Sequence, residues 1–314
     1  MKILVTGGTG HIGSYLVMEL LGNGHDVTIL ARNPSRIPPF SGRGSFSYIK
    51  GDLPDRSCLA DAVRGMDACI HVALNYTRTS GSDVLLDDTL PAVYLADCAI
   101  RAGVKHFIYT SSTAVNDSLY SGCNDIAELE IKQVTRFTKQ RPATLYGATK
   151  AACENFLMAL SYQSEMRINI IRPGYTFGNP VVTGAPTEGD TRFAAIADAV
   201  KEGRDVDVVL HDGTQFIWAG DLAKVYLAIL ASSVARKTYL ALSSRFIPWS
   251  RIAEEAIKRT ASASRLVIED RGYAPGSLFW DVSDIEKDFG LSFNPWDHLV
   301  GHIDYFLDGR HLRD

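Results

Sequence analysis

The stretch that decides the fold is the N-terminal sequence Met1-Lys-Ile-Leu-Val-Thr-Gly-Gly-Thr-Gly-His-Ile-Gly13. A short apolar segment runs directly into glycines, and a segment of helical periodicity follows them. Gly7 permits a tight turn, Gly10 lets the backbone approach a pyrophosphate, and Gly13 lets a helix pack closely on a strand. The alternative is a purely structural turn. Because a strand precedes the glycines and an amphipathic helix follows, the pattern predicts a dinucleotide site at a helix N-terminus.

Composition limits the class of protein. The chain has 314 residues, of which 46% are hydrophobic, so it can bury a large core. Its net charge of -4 gives no general electrostatic reason to bind nucleic acid or an anionic membrane. Five cysteines, an odd number without a Cys-x-x-Cys pair, favour reduced thiols over disulfides or a zinc knuckle. We therefore expect a small-molecule partner, with no bound metal, nucleic acid or membrane.

Targeting signals are not apparent in the sequence. The first strand begins without a basic leader and an apolar run before it. The longest apolar runs, such as residues 15–21, fall well short of the roughly 20 residues that span a bilayer. We expect a cytoplasmic protein.

Strand and helix patterns alternate through the first half of the chain. This rhythm predicts an α/β fold with a doubly wound parallel sheet of the Rossmann type. The predicted strands cover residues 3–5, 27–31, 46–49, 68–73, 107–111, 168–171 and 239–242. The predicted helices include residues 11–21, 146–162 and 221–231.

The composition of the sequence changes after Arg172-Pro173, where glycines, prolines and short polar stretches become frequent. This change predicts that the chain leaves the sheet and builds a smaller C-terminal substrate lobe. We assign residues 1–173 plus 217–243 to the dinucleotide-binding domain and residues 174–216 plus 244–314 to the substrate lobe. A cleft between them is expected above the carboxyl ends of the strands.

The end of the second strand bears on cofactor choice. An acidic residue there accepts hydrogen bonds from the adenosine ribose of NAD, but this chain has Ala31 followed by Arg32. Arg32 can pair with a 2′-phosphate, and Arg36 lies close by in sequence. The sequence therefore favours NADP over NAD, and the alternative is that Arg32 stacks on adenine in an NAD enzyme.

Three further residues suit proton transfer beside a nicotinamide. Tyr146 and Lys150 lie one turn apart on a predicted helix, so their side chains share a face. A free phenol titrates near 10, and a neighbouring ammonium favours the phenolate; a shift of about 3 units corresponds to about 4 kcal/mol. Ser112 follows the fifth strand and can hydrogen-bond a substrate oxygen. The sequence predicts Tyr146 as the catalytic acid or base, with Lys150 and Ser112 as its partners.

Together these motifs make the chain similar to the extended short-chain dehydrogenase/reductases, the NAD-dependent epimerase/dehydratase family. The resemblance covers essentially the whole chain and includes Thr6 to Gly13, Gly51-Asp-Leu53, His71-Val-Ala73, the strand ending at Ser112, and Tyr146 with Lys150. It implies hydride transfer at a ketone or secondary alcohol, often on a nucleotide-linked sugar. The cofactor contacts that follow from the motifs are Gly7, Thr9, Gly10, His11, Ile12, Gly13, Arg32, Asp52, Leu53, Val72, Ala73, Lys150 and Pro173.

The chain also departs from the family pattern at substrate positions. Thr113-Ala114 stand where dehydratases of this family have an Asp-Glu pair, so dehydration is not expected. Gln215-Phe-Ile-Trp218 lacks an arginine that commonly holds the substrate diphosphate, and Tyr175 replaces a usual asparagine. The alternative is drift, with a residue such as Arg192 taking over. We predict Asn75, Thr113 and Tyr175 as substrate contacts.

Three interpretations of function remain open from the sequence. The first is an NAD(P)-dependent oxidoreductase, with NADP preferred, that acts on a small and in some cases sugar-derived substrate. The second is a nucleotide-sugar epimerase with bound NAD(P), and the third is a non-catalytic dinucleotide-sensing protein. The resemblance implies a homodimer through the helices after Asp88 and at Tyr146. His298 and His302, one turn apart without a third metal ligand, indicate a solvated helix face.

Overall fold

The structure is a computed structural model that describes residues 1–74, 80–119, 133–187, 190–271 and 279–312. Its centre is a sheet of seven parallel strands, β1 (Lys2–Thr6), β2 (Asp26–Ala31), β3 (Phe46–Lys50), β4 (Ala68–His71), β5 (His106–Thr110), β7 (Arg167–Pro173) and β12 (Lys237–Ala241). Their order across the sheet is β12-β7-β5-β4-β1-β2-β3. The predicted doubly wound fold is confirmed.

Helices cover both faces of this sheet, which explains why its central strands are apolar without alternation. Residues 106–110 of β5, for example, are all buried. The helices are α1 (His11–Gly22), α2 (Arg56–Ala62), α3 (Gly81–Val84), α4 (Leu90–Arg101), α5 (Leu145–Tyr162) and α7 (Ala219–Ala231). A π-helical turn, Leu85–Thr89, joins α3 to α4, and a 3-10 segment, Thr113–Leu119, follows β5.

The predicted strand bounds agree with the structure to within two residues. Differences of two residues occur at β4, β7 and β12, and β4, for example, was expected to run to Ala73 but ends at His71. The Val72 amide still donates a hydrogen bond to the Thr6 carbonyl at 3.2 Å, and Ala73 then lies against Gly7, where the glycine turn leaves β1.

Apart from α7 and β12, most of the polypeptide beyond β7 packs around a separate apolar core. Its large side chains include Phe193, Phe216 and Trp249, which contact one another edge to face. The elements here are β8 (Thr176–Phe177), α6 (Arg192–Lys201), β9 (Val206–Val209), β10 (Gly213–Thr214), β11 (Ile217–Trp218), β13 (Ile247–Pro248), α8 (Trp249–Thr260), β14 (Leu266–Glu269), β15 (Phe279–Trp280), α9 (Ser283–Phe289) and α10 (Trp296–Leu307). The strand β6 (Gln133–Val134), from the segment before α5, pairs with β15. The division into two domains at the positions given above remains a prediction.

Strand order fixes where a ligand can bind. The chain moves outward from β1 to β3 on one side and returns through β4 to β12 on the other. Connections on the two sides diverge at the carboxyl ends of β1 and β4, which leaves a crevice there. The glycine turn after β1 lies at this switch point.

Candidate active site

A cleft of about 770 Å³ lies above the carboxyl ends of the central strands. Its size falls within the usual range for small-molecule and cofactor sites. Its lining contains the predicted cofactor residues Gly7, Thr9, Gly10, His11, Ile12, Gly13, Arg32, Asp52, Leu53, Val72, Ala73, Lys150 and Pro173. Tyr146 and Ser112 line the same cleft. Residues as far apart in sequence as Gly7 and Pro173 therefore meet at one site, and the roles assigned to them are proposals.

The glycine turn depends on close backbone contacts. Gly7 has a φ of +73°, and a Cβ there would lie 2.6 Å from the Ala73 nitrogen. A Cβ on Gly13 would overlap the Gly7 carbonyl oxygen. The Gly10 amide donates a hydrogen bond to that same Gly7 oxygen at 2.9 Å, which closes the turn. Gly7 and Gly13 therefore have the steric reasons that the sequence predicts, a tight turn and close packing of the helix. The approach of a pyrophosphate to Gly10 stays a prediction.

The start of α1 is prepared for an anion. Gly10 is the N-cap and offers no side chain to the first amides, and the first turn carries no acidic residue. These amides lack partners within the helix and are aligned with its dipole. The turn thus fits the pyrophosphate of a dinucleotide.

His71 supports the floor of the cleft from below. Its Nδ1 lies 2.6 Å from the Thr6 hydroxyl, and that hydroxyl accepts a hydrogen bond from the Ala73 amide at 3.4 Å. Burial, with a smaller contribution from the charge of Lys150, lowers the pKa of His71 to about 3. The imidazole is therefore neutral at neutral pH, in agreement with the structural role that a buried strand position indicates.

The end of the cleft beside β2 carries a positively charged side chain. Arg32 is exposed just beyond β2 and lines the cleft next to Ala31. The following turn is fixed by Asn33, whose side chain accepts a hydrogen bond from the Ser35 amide at 3.1 Å. On the neighbouring segment, Asp52 accepts a hydrogen bond from the Leu53 amide at 2.8 Å, so this carboxylate shapes its own turn.

Lys150 and Tyr146 project from the first turns of α5. Lys150 is only 2% exposed, and its Nζ donates a hydrogen bond to the Thr110 carbonyl at 3.1 Å. The same Nζ lies 5.9 Å from the centre of the Tyr146 ring, which is half-buried. Ser112, also half-buried, accepts a hydrogen bond from the Ala114 amide at 3.1 Å.

Several residues that hold this group escaped the sequence analysis. Asp117 is buried, and its carboxylate accepts hydrogen bonds from the Ala143 amide and the Thr144 hydroxyl. Thr144 in turn caps α5 by accepting from the Gly147 amide at 3.0 Å. Asp117 therefore fixes the start of the helix that carries Tyr146. An acidic residue 26 positions before its partner gives no periodic signal that could have identified it.

A second overlooked contact lies beneath Lys150. The Tyr226 hydroxyl of α7 lies 2.6 Å from the hydroxyl of Thr110, whose carbonyl accepts from Lys150. Tyr226 is fully buried, and burial raises its pKa above the ordinary phenol value. The neutral phenol therefore braces β5 at the residue that holds Lys150.

The predicted substrate residues are less well supported by the geometry. Thr113 is 9% exposed, and neither it nor Tyr175 lines the main cleft. The Tyr175 ring instead packs among Phe216 and Trp249, with ring centres 4.9 and 5.8 Å away. Asn75 lies outside the residues that the structure describes.

The polar groups considered for a substrate diphosphate have other partners. Gln215 is fully buried; its amide donates to the carbonyls of Ser243 at 2.8 Å and Trp280 at 3.0 Å, and its oxygen accepts from the Trp280 amide. Arg192 pairs with Asp190 through Nε at 3.0 Å and Nη2 at 2.8 Å. Both side chains are committed to contacts within the lobe.

The expectation of a solvated helix face at His298 and His302 was wrong for His302. This imidazole is 1% exposed, with Nδ1 2.7 Å from the side-chain oxygen of Asn179. It packs against Phe193 and Phe177, because this face of α10 covers the core of the second lobe. His298 is exposed and stacks on Trp218. Within the described ranges there is no group of three or more potential metal-binding acidic, histidine or cysteine side chains, and no helix with the length and apolarity to cross a membrane.

Comparison with family models identifies the relatives of the chain. Residues 3–241 match the model described as the NAD dependent epimerase/dehydratase family. This family comprises enzymes of the extended short-chain dehydrogenase/reductase type, as the sequence motifs indicate.

Curated proteins are similar to the chain in sequence, and a solved structure shares its fold. The chain is 32% identical over 214 residues to a 3 beta-hydroxysteroid dehydrogenase/Delta 5-->4-isomerase of Mycobacterium tuberculosis. The aligned region covers 64% of the chain and about half (52%) of that protein. It is 25% identical to a dTDP-glucose 4,6-dehydratase of Streptomyces niveus over 99% of the chain and 94% of that protein. A short-chain dehydrogenase/reductase superfamily protein from Agrobacterium tumefaciens, solved with bound NAD, matches with a TM-score of 0.78 at 18% identity, covering 100% and 99% of the two chains.

We expect His71 to make folding stability depend on pH. The neutral imidazole is favoured by the fold, so its contribution is complete above pH 6.5 and is lost as pH falls toward 3. One such proton adds a slope of up to about 1.4 kcal/mol per pH unit to the free energy of unfolding. His71→Asn should flatten this slope in urea unfolding curves recorded between pH 4 and 7. The exposed His298→Asn is the matched control; an unchanged slope in His71→Asn would contradict the assignment.

Proposed function

The chain belongs to the NAD dependent epimerase/dehydratase family, and on that premise we propose that it transfers a hydride between a nicotinamide dinucleotide and a ketone or secondary alcohol of a small substrate. The observation that carries this proposal is the convergence of Tyr146, Lys150 and Ser112 on the cleft that the glycine turn closes. A turn alone would suit binding without catalysis. The phenol and ammonium on the same cleft favour an enzyme over a dinucleotide sensor.

The residues of the cleft suit distinct parts of a dinucleotide. The first amides of α1 would hold its pyrophosphate, Arg32 would pair at its adenosine ribose, and Lys150 would bind a hydroxyl of its nicotinamide ribose. When bound, the nicotinamide would supply or accept the hydride. The shape of the turn rests on glycine at two of its positions, since a Cβ at Gly7 would collide with the Ala73 nitrogen and a Cβ at Gly13 with the Gly7 carbonyl oxygen.

Proton transfer is assigned to Tyr146. During reduction its hydroxyl donates a proton to the carbonyl oxygen as the carbonyl carbon gains the hydride, so that the C=O bond becomes a C–OH group. The phenolate that remains is stabilised by the Lys150 ammonium. The Ser112 hydroxyl donates a hydrogen bond to the same substrate oxygen and orients it. Oxidation runs the same steps in reverse.

Two observations favour a reductase or dehydrogenase over a nucleotide-sugar epimerase. The amide of Gln215 is occupied by backbone groups of the lobe, and the guanidinium of Arg192 is occupied by Asp190. The Gln215 amide is therefore committed to the lobe, and Arg192, whose side chain is 47% exposed, would bind a substrate diphosphate only by giving up part of its pairing with Asp190. An epimerase with bound NAD(P) remains the second candidate, since nucleotide-sugar enzymes are among the relatives.

We propose NADP as the preferred cofactor. Arg32 supplies a positive charge where an NAD enzyme has a carboxylate, and it lies at the cleft lining next to Ala31. A guanidinium can pair with a 2′-phosphate through two parallel hydrogen bonds. NAD remains possible through stacking of Arg32 on adenine.

We further propose that the protein works in the cytoplasm as a homodimer formed through α4 and α5. Exposed apolar side chains on these helices, including Leu90 and Phe156, support this surface. Such side chains are stabilised by burial against a second copy. Light scattering at micromolar concentration should report a dimer, and a mass of one chain alone would contradict the proposal.

Replacement of Tyr146 tests the chemistry. Tyr146→Phe removes the proton donor and should lower turnover about 10² to 10⁴-fold, with cofactor affinity nearly unchanged. NADPH absorbance is followed against a panel of ketones, secondary alcohols and nucleotide sugars. Tyr162→Phe, at the exposed end of the same helix, is the matched control.

The same assay separates the three candidate functions. A reductase consumes one NADPH per product, whereas an epimerase forms product without a net change in absorbance. A sensor would bind the cofactor without turnover of any substrate, and Tyr146→Phe would leave its binding intact. Full activity in Tyr146→Phe would contradict both catalytic proposals.

Replacement of Arg32 tests cofactor preference. Arg32→Ala removes the partner of the 2′-phosphate and should weaken NADP binding about 10 to 100-fold, while NAD binding changes little. Titration calorimetry gives both dissociation constants, with the exposed Arg43→Ala as control. A wild-type protein that binds NAD at least as tightly as NADP would reject the preference.

A further inference from the structure

A buried ion pair lies behind the proposed catalytic residues. Glu154 of α5 and Arg172 of β7 have side chains that are only 4% and 5% exposed. The Arg172 Nε donates to Glu154 Oε1 at 2.8 Å, and Nη2 donates to Oε2 at 2.6 Å. This bidentate geometry gives a strong, directional contact.

The carboxylate of Glu154 also accepts two further hydrogen bonds. One comes from the Ser111 hydroxyl at the end of β5, and the other comes from the Gln140 amide at 2.6 Å. The residues that contact Glu154 lie next to cleft residues in sequence: Ser111 precedes Ser112, and Arg172 precedes Pro173. The pair therefore joins α5 to the carboxyl ends of β5 and β7.

Glu154 follows Lys150 by one turn and Tyr146 by two turns of α5. The axial distance to Tyr146 is about 12 Å. The proposed chemistry uses neither member of the pair. Burial of two charges is costly, and replacement of such a pair by apolar groups is often neutral or stabilising. Stability alone therefore gives little reason for it.

We propose that Glu154 and Arg172 act as positioning residues that keep the electrostatic potential at Tyr146 balanced while they hold Lys150 and Ser112 in register. Because the two charges cancel, the ammonium of Lys150 is the charge that acts on the phenol. Loss of either partner would leave a buried charge within reach of Tyr146. This inference rests on the proposed role of Tyr146 as the proton donor.

Other ionisable groups face this region. Lys150 lies 5.9 Å from the Tyr146 ring and 5.0 Å from the Tyr109 ring. Asp117 lies at the start of α5, and Asp87 lines the same cleft. Tyr226 is close enough for the charge of Tyr146 to raise its pKa. All of these groups are unchanged in the Glu154 and Arg172 variants below, so their contributions cancel when those titration midpoints are compared with wild type.

The test measures the titration of Tyr146 directly and needs no substrate. Tyrosine labelled with ¹³C at Cζ is incorporated, and the Tyr146 signal is identified by its loss in Tyr146→Phe. The protein is saturated with NADP⁺ or NAD⁺, whichever binds more tightly. Glu154→Gln leaves Arg172 unpaired, and at an effective dielectric constant of about 20 this positive charge should lower the Tyr146 midpoint by about one pH unit.

Two further variants complete a charge cycle. Arg172→Met leaves a buried carboxylate and should raise the midpoint, by less where Glu154 takes up a proton. The double variant Glu154→Gln with Arg172→Met removes both charges and should return the midpoint to within about 0.3 pH unit of wild type. Glu165→Gln, the same change at an exposed position beyond α5, is the control. Thermal unfolding confirms which variants are folded.

The outcomes separate this inference from the proposed function. Opposite shifts in the two single variants, cancelled in the double variant, support it. An unchanged midpoint in folded Glu154→Gln, a lowered midpoint in folded Arg172→Met, or a double variant shifted as far as Glu154→Gln overturns it. Lys150→Met tests the proposed function separately, because it should raise the midpoint. If Lys150→Met leaves Tyr146 unaffected, the proposed proton chemistry fails irrespective of the ion pair.

Discussion

The close approach of three backbone segments at the glycine turn is the constraint on which the cleft depends. Gly13 packs against the Gly7 carbonyl, and Gly7 packs against Ala73 beyond β4. These contacts bring the first amides of α1 to the point where connections on the two sides of the sheet diverge. Without them the helix would stand away from the sheet by at least the size of a side chain. Its partial positive end would then face solvent rather than the cleft.

Helix α5 is subject to a different constraint, because it carries a buried charge. Lys150 is nearly inaccessible, so its ammonium needs an acceptor, and the Thr110 carbonyl provides one. Thr110 is itself braced by Tyr226, and α5 is fixed at its start by Asp117. A displaced Lys150 would lose its hydrogen bond while remaining desolvated, which is costly. The surroundings therefore favour one position for this side chain.

Local sequence pattern was sufficient to predict the individual strands, the glycine turn and the placement of Tyr146 and Lys150 one turn apart on a helix, because each of these depends on residues close in sequence. It was insufficient where partners are distant: Gln215 contacts Trp280 across 65 positions, and this kind of pairing leaves no periodicity. His302 shows a second limit. Spacing on α10 defines a helix face, but whether that face meets water or an aromatic core depends on how the second lobe packs.

The same distinction explains why the sequence says more about chemistry than about substrate. Most of the proposed cofactor residues, and Ser112, follow strands of the central sheet, while Tyr146 and Lys150 lie on α5 beside it, so topology brings them together. Residues of the second lobe acquire their roles through contacts with one another, as Arg192 does with Asp190 and with the face of Trp249 at 4.2 Å. A cation held in this way contributes to packing as well as charge. Its replacement would loosen the aromatic core beside Tyr175, so a lost activity at this position would not by itself identify a substrate contact.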